Sequence, residues 1–108
     1  MTKIVIQKNK DGQIVSCEIS GHTQSAEKGS DIVCAAVSAL SQAALLGLVR
    51  YAKAQIDHKI KAEEGYLCMT LKTAPTKETE AILHTMAIGL GEIAKEYPKN
   101  VTIEYYRR

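Results

Sequence analysis

The chain has no Trp and no Phe, and only two Pro among its 108 residues. A core built on large aromatic rings is therefore excluded. It must be aliphatic, made of Ile, Val, Leu, Ala and Met, with the five Tyr at its edges. An excess of one charge is also lacking. Fourteen Lys and Arg face 12 Asp and Glu, a formal net charge of +2. That is too little to imply nucleic-acid binding. The one basic concentration, Tyr105-Tyr106-Arg107-Arg108, reads as a strand end running into solvent. The three cysteines, Cys17, Cys34 and Cys68, form no CxxC pair, so neither a zinc ribbon nor a thioredoxin motif is supported. Nothing in the spacing of Cys and His supports a metal, and no cofactor is expected. The opening residues carry no apolar signal-peptide segment, so reduced thiols in the cytoplasm are expected. Ile32 to Val49 is uncharged. Ser38, Ser41, Gln42, Gly47 and several Ala dilute it, and strand-like segments flank it. A buried core helix is expected there, not a membrane span.

With 45% hydrophobic and 24% charged residues, the composition is that of an ordinary globular domain, and residues 1–108 read as one domain. Residues 3–8 and 13–20 alternate as strands around the turn Lys10-Asp11-Gly12, where Gly accepts positive φ. Val15, Cys17 and Ile19 are placed on one face. Residues 21–30, polar and bounded by Gly21 and Gly29, form the only long loop, and such loops are often functional. A helix follows, capped by Ser30 or Asp31 and running to about Ala54. Its apolar residues lie on nearly every side, so a second helix or a second subunit must cover what the sheet does not. Strands over 56–62 and 66–72 make a second hairpin around Glu63-Glu64-Gly65. Pro75-Thr76 opens a second helix, with Glu78 and Glu80 in its first turn and a stripe of Ile82, Met86, Leu90, Ile93 and Tyr97. Val101, Ile103 and Tyr105 make a last strand. The order ββαββαβ predicts an α+β fold with two helices packed on a mainly antiparallel sheet.

Cys34 is the cysteine with chemical promise. With Asp31 as the cap it is the third helical residue, where unpaired N–H groups and the macrodipole favour an anion. Thiolate is the nucleophilic form of cysteine. The plainer reading, a buried inert thiol, stays open on position alone. His22, in the loop just before the helix, can return its imidazole to the helix start and act as base and then as acid. Asp31 can cap the helix and also orient His22. Ser38, one turn beyond Cys34, can hydrogen-bond near the sulfur or satisfy the helix backbone. Cys17 and Cys68 read as structural, and His58 and His84 as isolated.

The pair Gly21-His22, followed by Gly29-Ser30-Asp31-Ile32-Val33-Cys34-Ala35-Ala36-Val37-Ser38, resembles the signature of the ribosomal-processing cysteine protease (Prp) family. The resemblance implies a cytoplasmic, homodimeric endopeptidase. It implies that the substrate is the N-terminal extension of large ribosomal subunit protein twenty-seven, cut after a short aromatic-containing motif. Carried over, Cys34 is the nucleophile and His22 the general base, supported by Asp31 and Ser38. The loop from Gly21 through Gly29 and Ser30 is then a mobile lid over the peptide. Neither nucleic acid nor membrane is expected as a partner. Two rivals compete: a ribosome-associated module that holds a peptide or RNA without cutting it, and a redox-sensing thiol protein. The first would survive loss of Cys34. The second needs a resolving cysteine, for which neither Cys17 nor Cys68 is obviously placed.

Overall fold

Asn9 organises the first turn. Its Oδ1 accepts from the N–H groups of Asp11 and Gln13, each at 3.0 Å, and Gly12 takes φ 79°. The turn joins β1 (Thr2–Lys8) to β2 (Ile14–Ser20). The computed structural model describes residues 1–21 and 30–108, with Ser30 and Asp31 as backbone only. After β2 come α1 (Ser30–Arg50), β3 (Ile56–Lys61), a single 3-10 turn over Ala62–Glu64, β4 (Tyr66–Leu71), α2 (Lys77–Glu96) and β5 (Val101–Arg107). The ββαββαβ order is as expected. The strands form one five-stranded sheet in the order β3-β4-β2-β1-β5. Every pairing is antiparallel except β1 with β5, which is parallel.

Register places the apolar residues on one face. Ile6 is opposite Cys17 and Cys17 opposite Met69; Ile4 is opposite Ile19 and Ile19 opposite Leu67. Directly paired residues point the same way, so these side chains form one continuous layer. Val33, Val37, Leu45 and Leu48 of α1 and Leu83, Met86, Ala87 and Leu90 of α2 complete the core. The buried stripe of α2 is centred on Leu83, Ala87 and Leu90. Ile82 and Ile93 are only partly buried, and Tyr97 is exposed, so the expected stripe is rotated by about one position. The helices meet closely at Gly89, where a Cβ would come within 3.0 Å of Leu40.

The first helix is shorter than expected. It ends at Arg50, not near Ala54. Beyond it Lys53 takes φ 54°, and the N–H groups of Ala52 and Ala54 close back on the carbonyls of Gly47 (3.0 Å) and Leu48 (2.9 Å). This wide closure satisfies the last carbonyls and turns the chain into β3. Ile32–Arg50 is long and apolar enough to cross a membrane. Here one side of that helix supplies part of the core.

Thr76 caps α2. Its hydroxyl oxygen accepts from the Thr79 N–H at 3.1 Å, and Thr79 Oγ1 accepts from the Thr76 N–H at 2.8 Å. This reciprocal box uses Thr where Glu or Gln is usual. In the same first turn Glu80 ties the helix to the sheet. Its Oε1 accepts from the Ile14 N–H and its Oε2 meets His84 Nε2, both at 2.9 Å. His84 is therefore partnered, not isolated. Replacing Glu80 by Ala would leave the N–H of the fully buried Ile14 without its acceptor. We expect a loss of ~1–3 kcal/mol in urea unfolding, with the circular dichroism spectrum of the folded fraction unchanged.

Candidate active site

The ends of several elements converge beside the start of α1. Helix α1 supplies Cys34, Val37, Ser38, Ser41 and Gln42 to a cleft of about 110 Å³. Thr2, Ile19 and Gly21 from the first hairpin form a second wall, and Ile60, Ala62, Gly65, Tyr66 and Leu67 from the second hairpin form the third. None of these residues is charged. Cys34 is half-buried, so its sulfur is held by the helix yet reachable from the cleft.

Gly21 is fixed by geometry. It has φ 95°, and a Cβ there would collide with the carbonyl oxygen of Met1. Only glycine lets the chain leave β2 this close to the start of β1. Thr2 Oγ1 donates to the Gly21 carbonyl at 3.4 Å and steadies that exit. His22 and Gly29 lie outside the described residues, as do the side chains of Ser30 and Asp31.

Ser30 is already helical, so neither Ser30 nor Asp31 stands outside the helix as its cap. Cys34 becomes the fifth helical residue, not the third. The backbone of Asp31 lies in the first turn of the helix. Ser38 lies on the cleft wall. Its Oγ accepts from Gln42 Nε2 at 3.3 Å, while Ser41 Oγ donates back to the Val37 carbonyl at 2.8 Å. The second hairpin carried no site residue in the sequence reading, yet it supplies a whole wall. The only local signal was Gly65, which ends the 3-10 turn in the left-handed region at φ 62°.

The other thiols differ from Cys34. Cys17 is fully buried in the core. Burial pushes its thiol up to about 12, with Cys68 and Glu18 acting in the same direction. Cys68 is half-buried and pairs across the strands with Glu18. Tyr66 donates to Glu18 Oε2 at 2.8 Å. That bond, then burial and Cys68, holds the phenol above its ordinary range. None of the three cysteines is in a disulfide. Among the described residues no cluster of His, Cys, Asp and Glu is built to hold a metal.

A thiol on an uncharged cleft at a helix start is an arrangement found in cysteine-dependent hydrolases. The family model for cysteine protease Prp matches residues 1–102, and the chain belongs to that family. It is 27% identical over 105 residues to the ribosomal processing cysteine protease Prp of Staphylococcus aureus strain Mu50, covering 97% of this chain and 99% of the relative. Its fold is similar to that of the essential S. aureus Prp solved in complex with a substrate peptide (TM-score 0.89, 26% identity, 97% and 99% of the two chains). It is equally similar to the same enzyme with a covalently linked product peptide (TM-score 0.88, 27% identity, the same coverage).

Two outcomes follow for the thiols. With limiting iodoacetamide on the folded protein, Cys34 should alkylate ahead of Cys17, which should react only after unfolding, as read by peptide mass mapping. Cys17 also sets an alkaline limit. Its thiol is raised in the fold from 9.0 to about 12, so the stability it contributes is complete below about pH 9 and is lost as pH climbs toward 12. Cys17→Ala should flatten the fall in unfolding free energy across that window, whatever its offset at neutral pH.

Proposed function

We propose that the chain is a cytoplasmic endopeptidase that removes the N-terminal extension of large ribosomal subunit protein twenty-seven, using Cys34 and His22. One observation carries the reading: Cys34 lines an uncharged cleft at the start of α1 in a chain that belongs to the Prp family. The S. aureus relative that holds a covalently linked product peptide supports a covalent route.

In this mechanism the Cys34 thiolate attacks the scissile carbonyl carbon, and N–H groups at the start of α1 hold the developing oxyanion. His22, protonated when the thiolate forms, gives its proton to the departing amine. The C–N bond breaks and a thioester remains. Water, deprotonated by His22, then attacks the thioester, releases the acid and restores the thiol. Asp31 and Ser38 act as positioning residues. The uncharged lining favours an uncharged substrate side chain beside the scissile bond.

The chain is also proposed to work as a homodimer. Ile32, Ala35, Ala39, Ala43, Leu46 and Val49 recur at helical spacing on the outer face of α1, all exposed, with Ile32 at 70%. A second copy seated there removes an apolar strip from water. Ser38 and Gln42 lie on the same helix, so that interface would border the cleft.

Cleavage of the extension peptide, followed by mass spectrometry, tests the first claim. One bond should be cut, and Cys34→Ala and His22→Ala should each lower the rate by more than ~100-fold. Undiminished cleavage by Cys34→Ala would remove it as nucleophile. Tight peptide binding without cleavage by the unmodified protein would favour a binding module. For assembly, sedimentation equilibrium should give a dimer, and Leu46→Glu should shift it to monomer with the circular dichroism spectrum unchanged.

A further inference from the structure

The parallel pairing of β1 with β5 gathers charges that are far apart in sequence. Lys8 lies opposite Arg107, and Gln7 opposite Tyr106. Arg108 continues the ladder: its N–H donates to the Lys8 carbonyl at 2.8 Å and its Nε to Gln7 Oε1 at 2.9 Å. The guanidinium is thereby anchored across β1. Lys8 Nζ stands 5.0 Å from the centre of the Tyr105 ring. Lys10 is exposed in the adjoining turn. Tyr105 and Tyr106 are 49% and 52% exposed on an outer strand.

The nearest acids do not cancel this charge. Glu104 is engaged by Lys3 Nζ at 3.8 Å and by the Tyr106 hydroxyl; Glu80, held by the N–H of Ile14 opposite Lys8, is engaged by His84; and Asp11 stands in the turn. Among the described residues, Lys8, Lys10, Arg107 and Arg108 form no ion pair with an acid. The net charge of the chain gave no reason to expect a polynucleotide; the fold supplies one by gathering four cations and two half-exposed rings along one edge, Lys8, Tyr105 and Arg107 toward one face of the sheet and Tyr106 and Arg108 toward the other. Cations alone would suit any acidic partner. Interleaved rings add a platform on which bases stack.

We propose that this edge binds a single-stranded polynucleotide, with phosphates on Lys8, Lys10, Arg107 and Arg108 and a base against Tyr105 or Tyr106. The edge lies away from the cleft. Thr2 lines the cleft and Lys8 the edge, and β1 separates them by about 20 Å at ~3.3 Å per residue. A strand held here leaves the cleft open, and the proposal does not depend on the protease reading.

The test is fluorescence anisotropy of the full chain with labelled oligouridylate and oligothymidylate, against labelled polyglutamate, as salt is raised from about 50 to 200 mM. Saturable binding of either oligonucleotide is expected, weakening by ~0.7 logarithmic units per phosphate contact for each tenfold rise in salt, or ~0.4 over this range. Whichever oligonucleotide binds tighter identifies RNA or DNA as the source. Arg107→Glu with Arg108→Glu should weaken binding at least tenfold and flatten the salt slope, and Tyr106→Ala should weaken it severalfold. Lys10→Glu, at an exposed turn, should also weaken binding, and it guards against loss of fold in the double variant. No binding at low salt, equal affinity for polyglutamate, or unchanged affinity in both Lys10→Glu and the double variant would overturn the proposal.

Discussion

The ladder between β2 and β4 is the joint on which the molecule depends. Each hairpin on its own is a two-stranded ribbon with too little apolar face to persist in water. Pairing Cys17 with Met69 and Ile19 with Leu67 makes them one sheet and gives both helices a surface to cover. The same ladder sets the cleft. Ile19 and Leu67 are its terminal pair, both line the cavity, and the chain leaves β2 two residues after Ile19. The hairpin tip and the start of α1 therefore meet at one end of the sheet. A slip of one residue in this register would turn Leu67 and Met69 to the solvent face and dismantle core and cleft together.

Much of this was legible in the chain. Alternation gave the strands, Gly12 and Gly65 marked their turns, and Thr76 marked the second helix. The Gly21-His22 and Gly29-to-Ser38 segments carried a family signature specific enough to single out Cys34, and the fold places that residue on the cleft. What sequence could not supply were the partners. That the tip of the second hairpin walls the cleft depends on the β2–β4 pairing, which leaves no local mark. The Glu80 carboxylate reads locally as a first-turn acid; its reach to Ile14 is a tertiary fact. The first helix was read too long because Tyr51, Ala52 and Ala54 suit a helix well enough. The wide closure onto Gly47 and Leu48 overrides that propensity.

The three cysteines show how environment divides one chemical group among several fates. In the core, Cys17 is a small apolar side chain whose ionisation is suppressed. On the open sheet face, Cys68 is half-buried opposite Glu18 and does not line the cleft. Cys34 alone combines access, a cleft and the start of a helix. Position in the fold thus separates the thiol proposed as nucleophile from the other two.

The contact between Gly21 and Met1 has a practical side. Thr2 is part of the cleft wall, and the Met1 carbonyl rests against the residue that leads the chain toward α1. Anything fused ahead of Met1 emerges at the mouth of the cavity, where it can crowd an incoming peptide or compete with it. Affinity tags and reporter fusions at this end would report on their own interference as much as on the protein, and a removable tag would leave its scar beside the cleft.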